Sequence, residues 1–162
     1  MKELALMRHG KSAWDKPYQT DKERPLKAKG KKRTKKIARF LREKNFIPEL
    51  IVSSDATRAI QTVKLIRKEL GISADIKIEP LIYSGDEEDV LHIIYGLDNS
   101  VNRVLIIGHN PDFTELVNEF SDEPVFHLPT SGTLAVRFHT DKWENIPLAK
   151  KETLFFITPK ML

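Results

Sequence analysis

The order of elements along the chain predicts an α/β fold: a single three-layer α/β/α domain, residues 1–162, with a mostly parallel central sheet. Three observations lead to it. A strand-length apolar run is followed by a helix-like segment four times in succession, the pattern of parallel strands joined by covering helices. Two more β-rich runs close the chain. The length of 162 residues suits one compact domain with a real core, and no internal repeat or linker divides it.

The first strand is "ELALM" (Glu3 to Met7), an apolar run ending at Arg8. From Leu26 the period changes: Leu26, Gly30, Thr34, Ile37 and Leu41 recur at three and four residues, which predicts an amphipathic helix ending near Lys44 and Asn45. After Pro48, "ELIVSS" is the second strand. "DATRAIQTVKLIRKELG" follows as a helix opened by an acidic cap, Asp55, and closed by Gly71. "DIKIE" (Asp75 to Glu79) alternates as a strand does, and "DEEDVLHIIYG" follows as a helix. "NRVLIIGHNPD" is the clearest strand-to-helix junction, with Pro111 at the helix start and Phe113, Leu116, Val117 and Phe120 behind it. "TLAVRF" and "ETLFFI" complete the set.

Composition excludes several classes. With 40% hydrophobic and 31% charged residues, no window is apolar enough to span a bilayer, and no membrane partner is expected. The start "MKELALMRHG" meets Arg8 after a few apolar residues, so no secretory leader is expected. The absence of cysteine rules out disulfides and thiolate metal clusters and fits a reducing, cytoplasmic location. The net charge of +4 is unevenly placed. Ten of the 27 lysines and arginines lie in the basic helix 27–44, against one acid, Glu43. Such a face is read first as solvated surface, and second as a docking face for an acidic protein. Nucleic-acid binding is not expected, because Phe40 is its one aromatic residue and no recognition motif accompanies it.

The stretch "LMRHGKSAWD" offers two chemistries. Its "GKS" ends like a phosphate-binding P-loop, but the first glycine of that motif would fall at Ala5 inside a strand, and no helical periodicity follows. Its "RHG" fares better. In open α/β sheets ligands bind beyond the carboxyl ends of the strands, and three such ends carry unusual polar groups: Arg8-His9-Gly10, "SSDATR" ending at Arg58, and Gly108-His109-Asn110-Pro111. Parallel strands would bring them together. Arg8 and Arg58 would offer planar forks to phosphate oxygens, and two imidazoles would complete a ring. Nearby guanidinium groups disfavour protonation of a histidine and so preserve the lone pair that attacks phosphorus. His9, beside the permissive Gly10, is the nucleophile candidate, and His109 a donor to the equatorial oxygens. Asn110 is a further candidate substrate contact. Asp15 either touches phosphate or caps a turn. No metal or cofactor is expected, since no histidine has a second at ligand spacing. His92, His127 and His139 read as ordinary structural or surface histidines, and "TSGT" (Thr130 to Thr133) as pocket lining or strand entry.

These segments resemble the histidine phosphatase superfamily, the phosphoglycerate mutase-like family. "LMRHGKSAWD" is similar to its R-H-G-x-S-x-W-[ND] signature, "SSDATRAIQT" to S-S-x-x-x-R-A-x-Q-T, and "GHNP" to the loop of its second histidine. The resemblance implies that His9 is transiently phosphorylated, that Arg8, Arg58 and His109 stabilise the phosphoryl group, and that water releases it. "ERPLKAKG" and the short "PLIYSGDEEDVLHII" resemble the SixA-type branch, which implies a phosphohistidine-bearing protein substrate such as a histidine phosphotransfer domain. Larger members place a catalytic glutamate in L-x-E-x-x-x-G, where this chain has Tyr83; Asp86, Asp15 and Asp21 remain alternative general acids. An imidazole leaves phosphorus far more readily than an alkoxide, so a phosphohistidine substrate tolerates a missing acid. The alternatives are a small-molecule phosphomonoesterase and a non-catalytic phosphate-binding module.

Overall fold

The computed structural model describes residues 1–14 and 20–162. Four strands lie parallel: β1 (Lys2–Arg8), β2 (Leu50–Ser53), β3 (Asp75–Ile78) and β4 (Arg103–Gly108). β5 (Thr133–Phe138) and β6 (Lys151–Ile157) extend the sheet antiparallel, giving the order β3-β2-β4-β1-β5-β6.

Alternation along each strand builds two cores, as a period of two requires. Leu4 and Leu6 share one face with Val104, Ile106, Leu134 and Val136, covered by α4 (Glu87–Tyr95) and α5 (Asp112–Phe120). Ala5 and Met7 face the other way with Leu105 and Ile107, under α1 (Ala28–Glu43) and α2 (Thr57–Leu70). The three-layer α/β/α arrangement follows from those two apolar faces. No helix of the described residues is long and apolar enough to cross a membrane.

α1 buries the stripe that its spacing predicts, Gly30, Thr34, Ile37 and Leu41, with Ala38 beside it. Gly30 is required by close approach: a Cβ there would run into the carbonyl of Lys11, in the loop after β1. α2 ends as expected, with Gly71 in the left-handed conformation at φ 64°. Its start differs. The N-cap is Ala56 and offers no side-chain cap, while Asp55 instead pairs with Lys22 at 2.6 Å. The freed backbone donor is met locally, since Ala56 N–H donates to Ser54 Oγ at 3.0 Å. An acidic residue near a helix start is not a cap unless the backbone turns one position later. A short helix α3 (Leu81–Ser84) and a 3₁₀ segment, Trp143–Leu148, were not anticipated; both are too short for a periodicity to register.

The ladder sets the ends of three strands level. Arg8 pairs with Gly108 across β1 and β4, and Ser53 pairs with Ile107 across β2 and β4. The loops leaving β1, β2 and β4 therefore emerge side by side.

Candidate active site

Those three loops bring His9, Arg58 and His109 together. The His9 and His109 ring centroids are 5.0 Å apart, and Arg58 lies between them, with Nε 3.3 Å from His9 Nε2 and Nη2 3.5 Å from His109 Nδ1. With Arg8 they line a cavity of about 390 Å³, which also takes in Lys11, Arg24, Lys27 and Thr130. Asn110 lines it too, although its amide holds the loop: Nδ2 donates to the Leu128 carbonyl at 2.8 Å, and Oδ1 accepts from Thr114 N–H and Oγ1. Asp15 lies outside the described residues.

The backbone fixes each catalytic candidate. His9 N–H donates to the Gly108 carbonyl at 3.1 Å, and Ser131 N–H donates to the carbonyls of both Arg8 and His9 at 3.0 Å. Gly10 packs where a Cβ would press on Thr34 Oγ1, and its N–H donates to Thr62 Oγ1 at 3.1 Å. The glycine is thus demanded by the helices behind the loop. His9 Nδ1 lies 2.7 Å from the Gly10 carbonyl, an acceptor, so Nδ1 carries the proton. Nε2 keeps its lone pair. His109 is braced at Nε2 by Ser54 Oγ, 2.7 Å away and fully buried.

Burial is the main force on both rings and disfavours their charged forms. It pushes His9 down to about 3, helped by the charges of His109, Arg58 and Arg8 and opposed by the Gly10 carbonyl. His109 falls to about 4 for the same first reason, with Arg58 next. Both imidazoles are neutral at pH 7. The guanidinium of Arg8 is also lowered, by burial and then by Arg58. Its Nη1 donates to the Leu128 carbonyl at 3.2 Å, while buried Nε has no partner and no carboxylate pairs with it among the described residues.

Two of the three alternative acids are placed by the structure. Asp86 caps α4 in a reciprocal capping box with Asp89. Asp21 accepts from Tyr83 OH at 2.8 Å, Arg58 Nη2 at 3.1 Å and Arg24 Nη1 at 2.9 Å. Burial raises its carboxyl, but those three donors outweigh it and hold it at about 2. A carboxyl so stabilised as the anion is no proton donor at neutral pH. Its place is to orient Arg58.

Some site residues escape sequence reasoning. His127 reads as an ordinary loop histidine, yet its Nε2 lies 3.4 Å from Arg8 Nη1 at the mouth. Ser54 supports His109, and Ser131, at φ 62°, supports the His9 loop. Arg24 stacks on Trp14 and donates from Nη2 to Ser12 Oγ at 2.7 Å. Trp14, Arg24, Ser54 and Ser131 lie in segments that the sequence singles out, but with no local mark of these contacts; His127 lies in none. Among the described residues no three histidine, aspartate or glutamate side chains converge to hold a metal.

The model of the histidine phosphatase superfamily, branch 1, matches residues 4–82. An uncharacterized protein of Picosynechococcus sp. is 31% identical over 151 residues, covering 86% of this chain and 91% of that one. A chloroplastic protein of Arabidopsis thaliana, also uncharacterized, is 28% identical over 87% of this chain and 68% of its own length. Among solved structures, a protein assigned as the phosphohistidine phosphatase SixA of Agrobacterium tumefaciens superposes with a TM-score of 0.83 at 25% identity, covering 98% of both chains. The protein histidine phosphatase SixA in complex with tungstate superposes with a TM-score of 0.82, also at 25% identity and 98% of both chains.

Proposed function

Because the chain belongs to the histidine phosphatase superfamily, and on that footing is a phosphatase, we propose that it hydrolyses protein phosphohistidine through a phosphoryl-enzyme intermediate on His9. One observation carries the reading: His9 Nδ1 is held by the Gly10 carbonyl, leaving on Nε2 a neutral lone pair that accepts a long hydrogen bond from Arg58 Nε, 3.3 Å, which a bound phosphoryl group would draw to its own oxygens. That lone pair attacks phosphorus, and the bond from phosphorus to the substrate imidazole breaks with its electron pair going to the leaving nitrogen. An imidazole protonated on its other nitrogen departs neutral. Water then attacks phosphorus, the bond to Nε2 breaks, and inorganic phosphate leaves.

Arg8, Arg58 and His109 take the charge on the equatorial oxygens, the electrostatic role that dominates phosphoryl transfer. Ser54 Oγ accepts from Ala56 N–H, so its own proton is free for His109 Nε2. In the tautomer with N–H on Nδ1, a bound oxyanion in place of Arg58 Nη2, now 3.5 Å away, would accept that hydrogen. The tungstate bound by a SixA relative, a tetrahedral oxyanion, is consistent with such a cage. No metal enters these steps.

The substrate class rests on the acid. With Asp21 held ionised and Tyr83 engaged with it, nothing among the described residues is poised to protonate an alkoxide. A phosphohistidine needs no such donor. The test is the ratio of kcat/KM for a phosphohistidine protein to that for sugar and nucleotide phosphates. A ratio well above one is expected, and a ratio below one would make the enzyme a phosphomonoesterase. In His9→Ala, turnover should fall by about 10⁴-fold or more and acid-labile labelling should vanish. Labelling that persists would move the nucleophile elsewhere.

A further inference from the structure

Some cations away from the site are paired, Lys22 with Asp55, Arg39 with Glu69 and Lys77 with Glu79, while others, such as Lys29 and Lys64, are solvated surface. Around the catalytic cavity, Lys11 and Lys27 have no carboxylate partner among the described residues, and no carboxylate side chain among the described residues lines that cavity.

A second cavity, of about 610 Å³, adjoins it, and Thr130 is in the wall of both. Its walls come from α1, from Pro129 and Thr130, and from the turn at Pro159–Met161. Arg33 and Lys36, one turn apart on α1, line it together with Lys160. None of these three cations has a carboxylate partner within 4 Å among the described residues, and the lining described includes no Asp or Glu side chain, although Leu162 with its α-carboxylate also lines it. Most of the basic face of α1 is plain solvated surface; Arg33, half-buried, and Lys36, exposed, differ in lining this cavity.

Cations gathered around a groove repel each other, and an anionic occupant relieves that repulsion. We propose that the second cavity docks an acidic segment of the substrate protein, which crosses Thr130 from the catalytic pocket and lies between Arg33, Lys36 and Lys160. The proposal deepens the phosphohistidine reading and rests on it. A phosphohistidine side chain fills the inner cavity, and its flanking chain must leave over one rim. The rim at Thr130 leads directly into the groove. Selection would come from charge at the edge, which acts on encounter rate and fades with salt.

Two synthetic peptides test this, each with one histidine phosphorylated by phosphoramidate, one flanked by Asp and Glu, the other by Ser and Asn. The acidic peptide should have the higher kcat/KM by about tenfold at low salt, as three exposed charge pairs allow. R33E/K36E/K160E should erase that preference while hydrolysing phosphoramidate itself at the wild-type rate. Equal kcat/KM for both peptides, or a preference that survives the triple substitution, overturns the proposal. A binding arm separates it from the chemistry. Fluorescence anisotropy with the unphosphorylated acidic peptide should show binding that the triple substitution removes, even if phosphomonoesters prove to be the better substrates. No binding, or tighter binding of a labelled single-stranded oligonucleotide, also overturns it.

Discussion

The two ends of β1 both bury charge, and they treat it in opposite ways. At the amino end Lys2, 1% exposed, donates to the carbonyls of Asn99 and Val101 and to Asn102 Oδ1, with the Trp143 ring alongside. Glu3 is bracketed by Arg103 at 2.6 Å and Arg137 at 2.8 Å. Every buried charge there is answered. Six residues later Arg8 has a buried Nε without a partner and no carboxylate among the described residues, and two imidazoles beside it are forced neutral. Buried polar groups are ordinarily satisfied because leaving them unmade costs free energy. Where one strand satisfies such groups at one end and leaves donors in excess at the other, the second end is built for something that arrives.

Exchanging apolar side chains into the two ends should separate these roles. Arg8→Met should lower kcat/KM by about 10²–10³-fold, the loss of one preorganised donor to the transferring group. Its thermal midpoint should hold or rise, because like charges beside Arg58 are relieved. Lys2→Met should do the reverse. It strands three acceptors around a buried site and should cost about 3 kcal/mol, a fall in midpoint of roughly 10 °C for a domain of this size, with kcat/KM unchanged. Steady-state kinetics and thermal melts on both variants decide it. Destabilisation by Arg8→Met together with slowed catalysis by Lys2→Met would erase the distinction.

The same contrast explains what the sequence could show. Period-two alternation in "ELALM" and "RVLIIG" and the three-and-four spacing of α1 are set by burial, so those elements were legible to within a residue or two. The meeting of Arg8, His9, Arg58 and His109 around one cavity was legible because parallel strands must end together, and the ladder does align them. Residues that act through tertiary contact left no local trace of their role, even inside a motif. Ser54 differs from its neighbour Ser53 only in reaching His109, and His127 matters only because its loop folds back over Arg8. Asp55 was misread as a cap for the same reason: its partner, Lys22, is distant in sequence.

Titration sharpens the contrast further, because the two ends of β1 respond in different pH windows. Glu3 is held below its ordinary value by Arg103 and Arg137 against the opposing push of burial, so its contribution is present above about 4.5 and fades only below that. The imidazoles act earlier. His9 and His109 bind protons in the unfolded chain below about 6.5 but stay neutral in the fold until about 3 and 4, so stability falls as pH drops from 6 to 5. Each ring contributes about 1.4 kcal/mol per pH unit there. Glu87, pushed up to about 7 by burial and by Glu119 and Glu115, has the opposite slope in the same range, so the readout is a difference between proteins. In denaturant titrations at pH 6 and pH 5, His9→Asn should lose about 1.4 kcal/mol less than wild type over that unit. A Glu3→Gln variant should lose the same as wild type. Equal losses in wild type and His9→Asn would mean that His9 is not held neutral, and the lone pair required for attack would have to be made available in some other way.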